Sequence, residues 1–197
     1  MTTGEWIGCF GLTEPDYGSN PGDMITRAED KGDHYRLNGA KMWITNGSID
    51  DDGTPADAVW LYARTGTDKK GRAEITTFIV ENGMSGYSVG QKIYDKLGMR
   101  ASNTAELVFD DCIVPAGNIV GEPGESMIHM MRNLELERLG LAAMGWGISR
   151  RCLSSMNRYA GEGEACGMGV TTTLRRRPSN TETTTADPSD YNTPSTS

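Results

Sequence analysis

The sequence predicts a mainly β fold, a barrel or sandwich, followed by one long α-helix and a tail without regular structure. Three observations carry this. Between residues 8 and 115, short apolar runs are separated by turns rich in Gly, Asn and Asp. From Ser126 the apolar residues change to a three-to-four spacing, which is the period of a helix. From about Gly161 the chain becomes rich in Thr, Ser, Pro and Arg, with only scattered apolar residues such as Val170, Leu174 and Tyr191.

The strands expected are Gly8–Thr13, Met24–Glu29, His34–Leu37, Lys41–Thr45, Ala58–Thr65, Glu74–Glu81, Ala105–Phe109 and Cys112–Val114. Their number and spacing suit a sandwich or barrel. Asn38-Gly39 and Asn46-Gly47 supply residues tolerant of positive φ, as tight hairpin connections require. The run from Ser48 to Thr54 holds three adjacent aspartates without the alternating ligands and closing Glu of a calcium loop, so it reads as a solvated loop.

In the helical stretch, Met127, Ile128, Met131, Leu134, Leu141 and Ala142 recur at helical spacing through about Tyr159. A helix from Ser126 to Ala160 extends roughly 50 Å at 1.5 Å per residue, longer than the β region before it. Its Met-rich start is apolar nearly all round, so it requires a packing surface that the β elements do not supply. The chain therefore reads as part of a larger protein: a β-domain over 1–120, the start of a helical domain over 121–160, and a disordered tail over 161–197. That tail cannot bury enough apolar surface to offset an ordering cost of roughly 1–2 kcal/mol per residue.

Composition narrows the function. Hydrophobic residues at 37% and aromatics at 7% fall below the globular average, in keeping with a segment that adds length without core. A net charge of −8 argues against nucleic-acid binding, which needs Lys and Arg gathered on one face. Cys9, Cys112, Cys152 and Cys166 contain no C-x-x-C pair, so free thiols in a reducing compartment are expected and no metal site. No apolar run is long enough to span a membrane, and the start of the chain lacks the pattern of a targeting segment.

Two segments combine groups suited to one ligand: Cys9-Phe10-Gly11-Leu12-Thr13-Glu14-Pro15-Asp16-Tyr17-Gly18-Ser19 and Lys41-Met42-Trp43-Ile44-Thr45-Asn46-Gly47. Each ends a strand on a Thr, where a hydroxyl and nearby N–H groups can face a planar, hydrogen-bond-accepting ring, and Trp43 adds a flat apolar surface. Taken singly, neither is diagnostic, because Thr is common in strands and a strand Trp usually lies in a core. On the helix, Glu137 has Asn133, Leu134, Gly140 and Leu141 at its i±3 and i±4 positions and thus no local cation, whereas Glu135 lies three residues before Arg138.

The order T-E-P-D-Y-G-S, K-M-W-I-T-N-G and D-K-L-G-M-R-A-S-N-T-A-E-L-V-F-D-D-C resembles the acyl-CoA dehydrogenase family over about Gly8 to Ala160. The resemblance implies a middle β-domain plus the first helix of a C-terminal helical domain, with FAD as cofactor. It implies that Phe10, Leu12, Thr13, Gly18 and Ser19, with Trp43, Ile44 and Thr45, line the flavin and pyrophosphate region, and that Ser19 also touches the acyl-CoA substrate. L-E-L-E-R-L is similar to the isovaleryl-CoA dehydrogenase branch, which implies Glu137 as the catalytic base, Glu135, Leu136 and Arg138 at the substrate, and a place in leucine catabolism. G-C-F-G-L-T-E-P is more similar to the glutaryl-CoA dehydrogenase branch.

By the same resemblance the electron acceptor is an electron-transfer flavoprotein, the full-length protein is a homo-oligomer, and the compartment is the mitochondrial matrix or bacterial cytoplasm. The resemblance stops beyond Gly167, and Gly163 stands where the family pattern has a flavin-contacting Arg. Those departures imply a truncated form inactive alone. The alternative reading is a non-catalytic β-domain that docks a partner through its Met-rich helix face.

Overall fold

A computed structural model describes residues 2–165 and 168–169. The chain divides into two units, Met1–Leu136 and Glu137–Ser197. Its elements in order are β1 (Gly8–Gly11), β2 (Arg27–Asp30), β3 (His34–Thr45), β4 (Ala58–Thr67), β5 (Ala73–Glu81), β6 (Tyr87–Lys92), β7 (Thr104–Pro115), β8 (Ile119–Val120), α1 (Ser126–Glu162), β9 (Glu164–Ala165) and β10 (Met168–Gly169).

In the first unit β1 to β8 form one sheet, ordered β6-β7-β3-β2-β4-β5-β8, with β1 pairing in parallel to the first half of β4. The sheet curls. Along that order β3 and β5 are three strand steps apart, roughly 14 Å in a flat sheet, yet the Tyr35 and Phe78 rings meet edge to face with centroids 5.1 Å apart. The curl closes around a core of Leu37, Val59, Leu61, Phe78, Val80, Leu107, Phe109 and Val114.

Alternation along β4 explains how both faces are used. Val59, Leu61 and Ala63 point into that core, while Trp60 and Tyr62 point to the opposite face, where Leu12, Met24, Ile75 and Met130 gather with Phe10 and Met127. A period of two sends successive side chains to opposite sides of a strand. The first turns of α1 cover this second face, and the buried Thr77 hydroxyl donates to Ser126 Oγ at 2.8 Å, tying β5 to the helix start.

Four of the expected strands are two. His34–Leu37 and Lys41–Thr45 run on as β3, because Asn38-Gly39 forms a bulge and not a hairpin. Gly39 has φ +148° and lies so close to Thr26 that a Cβ would sit 2.7 Å from the Thr26 Cα. Across the ladder, Asp111 has φ +49°, and the Asn38 side chain donates to Asp111 Oδ1 and accepts from its backbone N–H, both at 3.0 Å. β7 likewise joins Ala105–Phe109 to Cys112–Val114. Bulges and hairpins draw on the same positive-φ residues, so the dipeptide alone does not distinguish them. β6 and β8 were not expected: β6 is an edge strand with only Tyr87 and Val89 apolar, and β8 has two residues.

In the second unit, α1 carries exposed Leu139, Leu141, Met144, Trp146, Ile148, Leu153, Met156 and Tyr159. The helix ends at Glu162, two residues past the expected limit, and the Gly163 N–H donates to the Tyr159 carbonyl at 2.9 Å. β9 and β10 pair antiparallel within the stretch expected to be a tail; the rest of that expectation lies outside the described residues. Cys9, Cys112 and Cys152 are free thiols.

Candidate functional site

The two segments singled out from the sequence come together at the exits of β1 and β3. β1 is fixed laterally by pairing Gly8–Gly11 with Ala58–Leu61. Gly11 packs closely there: a Cβ would approach the Leu61 and Val59 side chains at 3.1 Å, so they would have to shift by a few tenths of an ångström. Just past the strand, the Thr13 carbonyl accepts from the Met42 N–H at 2.8 Å. That bond sets Thr13 beside the start of the second segment.

β3 is irregular at this point. Lys41 pairs with Leu107 and Ile44 with Ala105, so Met42 and Trp43 together oppose the single residue Glu106. This is a β-bulge, a device that re-aims a side chain. Trp43 takes φ +64°, a left-handed conformation costing a bulky residue on the order of 1–3 kcal/mol, which persists only where its surroundings hold it. Strand alternation would carry Trp43 along the ladder; the bulge turns it outward, leaving it 61% exposed while Ile44 is buried. Asn46 follows at φ +58° and donates its N–H to the Asn103 carbonyl at 2.9 Å, closing the segment.

Beneath the junction lies a feature that the sequence reading missed. Lys41 and Glu14 are 0% and 1% exposed, and the Lys41 Nζ donates to Glu14 Oε1 at 2.8 Å and to the Leu12 carbonyl at 3.1 Å. Glu14 also accepts from the Ile25 N–H at 2.7 Å and the Thr26 N–H at 3.0 Å. Burial pushes the Glu14 carboxyl up, but the Lys41 ammonium and the donors around it outweigh that and hold it below the usual carboxylate range. Burial pushes Lys41 below the usual lysine value, and Glu14 opposes the shift. A strand Lys normally reads as a surface residue, so the available signal was only that Lys41 opens an apolar segment and Glu14 follows the strand-ending Thr13.

The remaining expected residues fall as follows. Phe10 is half-buried and meets Tyr62 edge to face with centroids 5.4 Å apart, and Leu12 is buried beside it. The loop after Glu14 folds back, so that a Cβ at Gly18 would lie 3.9 Å from Thr13 Cγ2. Gly18 and Ser19 are exposed, Thr13 is half-buried and Thr45 is exposed. Among the described residues, no protein group hydrogen-bonds the Thr13, Ser19 or Thr45 hydroxyls. On the helix, Glu135 and Leu136 end the first unit and are exposed; Glu137 and Arg138 open the second and are also exposed.

The exits of β1 and β3 thus gather the outward Trp43 ring, the half-buried Thr13 and the exposed Thr45 on one curled β-domain. The particular family follows from comparison. Residues 9–112 match the family described as "Acyl-CoA dehydrogenase, middle domain", and the chain belongs to the acyl-CoA dehydrogenase family. It is 43% identical over 171 residues to the mitochondrial isovaleryl-CoA dehydrogenase of Pongo abelii, covering 86% of this chain and 39% of that protein. Among solved structures, butyryl-CoA dehydrogenase from Megasphaera elsdenii superposes with a TM-score of 0.77 at 37% identity, over 86% of this chain and 43% of that one. A glutaryl-CoA dehydrogenase from Mycobacterium smegmatis in complex with FADH2 gives a TM-score of 0.73 at 35% identity, over 85% and 40%. The chain thus spans about two fifths of the length of the relatives it matches.

Proposed function

We propose that this chain is the flavin-holding part of an FAD-dependent acyl-CoA dehydrogenase acting on a short branched acyl-CoA such as isovaleryl-CoA. The observation that carries the reading is the Trp43 bulge clasped to the Thr13 segment by the Met42–Thr13 bond, with the half-buried Thr13 and the exposed Thr45 beside it. The residues present fit FAD: donors for a ring edge, a flat indole beside them, and an exposed Gly18-Ser19 turn able to approach a pyrophosphate. The chemistry FAD supplies when bound is acceptance of a hydride from the β-carbon of the thioester.

This chain's own residues do the rest. Thr13 and Thr45 orient the ring by donating hydrogen bonds; Thr45 ends β3, and Thr13, two residues past β1, is held by the Met42 N–H. Phe10 and Leu12 pack into the core beneath the β1 exit, and Ile44 anchors the β3 exit in the core on the other face. Ser19 contacts the acyl-CoA, and Glu135, Leu136 and Arg138 shape the substrate's surroundings. Glu137 takes the α-proton on a carboxylate oxygen while the hydride leaves the β-carbon, so the C–H electrons left at the α-carbon form the 2,3-double bond. Its exposed position and lack of a cation at helical spacing leave the carboxylate available. Because Gly163 replaces the flavin-contacting Arg of the family pattern, the isolated chain retains FAD weakly and does not turn over. In the complete protein the acceptor is an electron-transfer flavoprotein, the assembly a homo-oligomer, and the compartment the mitochondrial matrix.

Titration with FAD, followed by quenching of flavin fluorescence, tests the reading. Saturable binding that Trp43→Ala weakens is expected; no saturable binding at millimolar FAD removes it. Where a preparation bleaches its flavin on anaerobic addition of isovaleryl-CoA, Glu137→Gln should keep FAD and abolish bleaching. Undiminished bleaching takes the base assignment away from Glu137.

A further inference from the structure

We propose that the buried Glu14–Lys41 pair is a positioning device that holds Thr13 and Trp43 in fixed relation for the ring they face; its functional meaning rests on the flavin reading above. The geometry is specific to that task. Two successive carbonyls at the exit of β1 are taken by two successive residues of β3: Leu12 accepts from the Lys41 side chain at 3.1 Å and Thr13 from the Met42 N–H at 2.8 Å. Glu14, next along the chain, closes the loop on Lys41 and also grips the Ile25 and Thr26 N–H groups. Three chain segments are thus locked at a point one residue from Thr13 and two from Trp43.

Stability does not require such a pair. Taking two charges out of water consumes most of their attraction, and well-packed neutral groups of similar volume commonly serve a core as well or better. A directional network, by contrast, fixes a geometry that apolar packing leaves free to slide. Trp43 needs that constraint, because its left-handed backbone relaxes unless both flanks are held. The C-terminal flank has buried Ile44 and the Asn46–Asn103 bond. On the N-terminal flank Lys41 pairs with Leu107 and the Met42 N–H reaches across to Thr13, and the ion pair ties the segment just past β1 to that flank.

The test uses amide hydrogen exchange on the isotopically labelled chain, with FAD binding measured in parallel. In the unmutated chain the Met42 N–H should exchange within about tenfold of the Leu61 N–H in central strand β4, since both would open only with the fold. In Glu14→Gln/Lys41→Met the thermal midpoint should stay within a few degrees, while Met42 exchange rises at least about a hundredfold relative to Leu61. FAD affinity should fall about tenfold, the equivalent of one lost charge-assisted hydrogen bond.

A Met42 amide already as open as a loop in the unmutated chain overturns the proposal. So does a folded double variant that keeps both Met42 protection and FAD affinity, and so does a double variant that unfolds, which would make the pair a stability element. The flavin reading fails separately: protected Met42 with no saturable FAD binding keeps the clasp and removes its ligand.

Discussion

Replacing Lys41 alone by Met leaves the Glu14 carboxylate buried at 1% exposure without its counter-charge and strips the Leu12 carbonyl of its donor. The two backbone N–H groups from Ile25 and Thr26 remain, so the carboxylate is not orphaned entirely. Breaking a buried pair from one side costs about 3–5 kcal/mol, against about 0–1 kcal/mol for an exposed pair. At roughly 2–4 °C per kcal/mol for a chain of this size, the midpoint should fall by about 6–20 °C. Thermal and urea unfolding followed by circular dichroism measure it.

The same variant carries a pH signature. Stranded without Lys41, the Glu14 carboxyl is raised by burial above its unfolded value, so protonation stabilises the fold and the loss should shrink as pH falls through the folded value. Adding Glu14→Gln should recover most of the stability at neutral pH. A cost below about 1 kcal/mol for Lys41→Met, unchanged by pH, would refute the reasoning, since it is what a hydrated pair gives.

Three further outcomes are expected. In the unmutated chain Glu14 sits below the usual carboxylate range, so its contribution is complete above the unfolded value of about 4.3 and is lost as pH falls through the lower folded value; acid titration of stability should therefore slope more steeply than for Glu14→Gln/Lys41→Met. Gly86→Ala, at φ +84° with a Cβ placed 2.3 Å from the Asp110 carbonyl oxygen and 2.7 Å from the Cys112 Cα, should cost about 2–4 kcal/mol in urea unfolding because backbone cannot yield there. Thr77→Val strips the buried Ser126 hydroxyl of its donor and should cost about 1–2 kcal/mol, read as a lower midpoint.

The residue pattern alone determined that this chain folds as strands followed by a long helix. The short runs such as Ala58–Thr65 between turn residues and the three-to-four spacing after Ser126 are local properties, legible over a few residues. The motif order around Thr13 and Trp43 was enough to indicate the family as well. Tertiary structure decided what depends on residues distant in the chain. Asn38-Gly39 became a bulge because Asp111 supplies the partner for the Asn38 amide and Thr26 crowds Gly39. Tyr87–Lys92 became a strand because the edge of β7 was open to it. Trp43 faces solvent and Lys41 is buried, the reverse of what each residue type favours by itself. Trp43 is turned out where its backbone is held left-handed, and Lys41 is taken in where a carboxylate and a carbonyl from another segment await it; neither condition is written within the reach of a single strand.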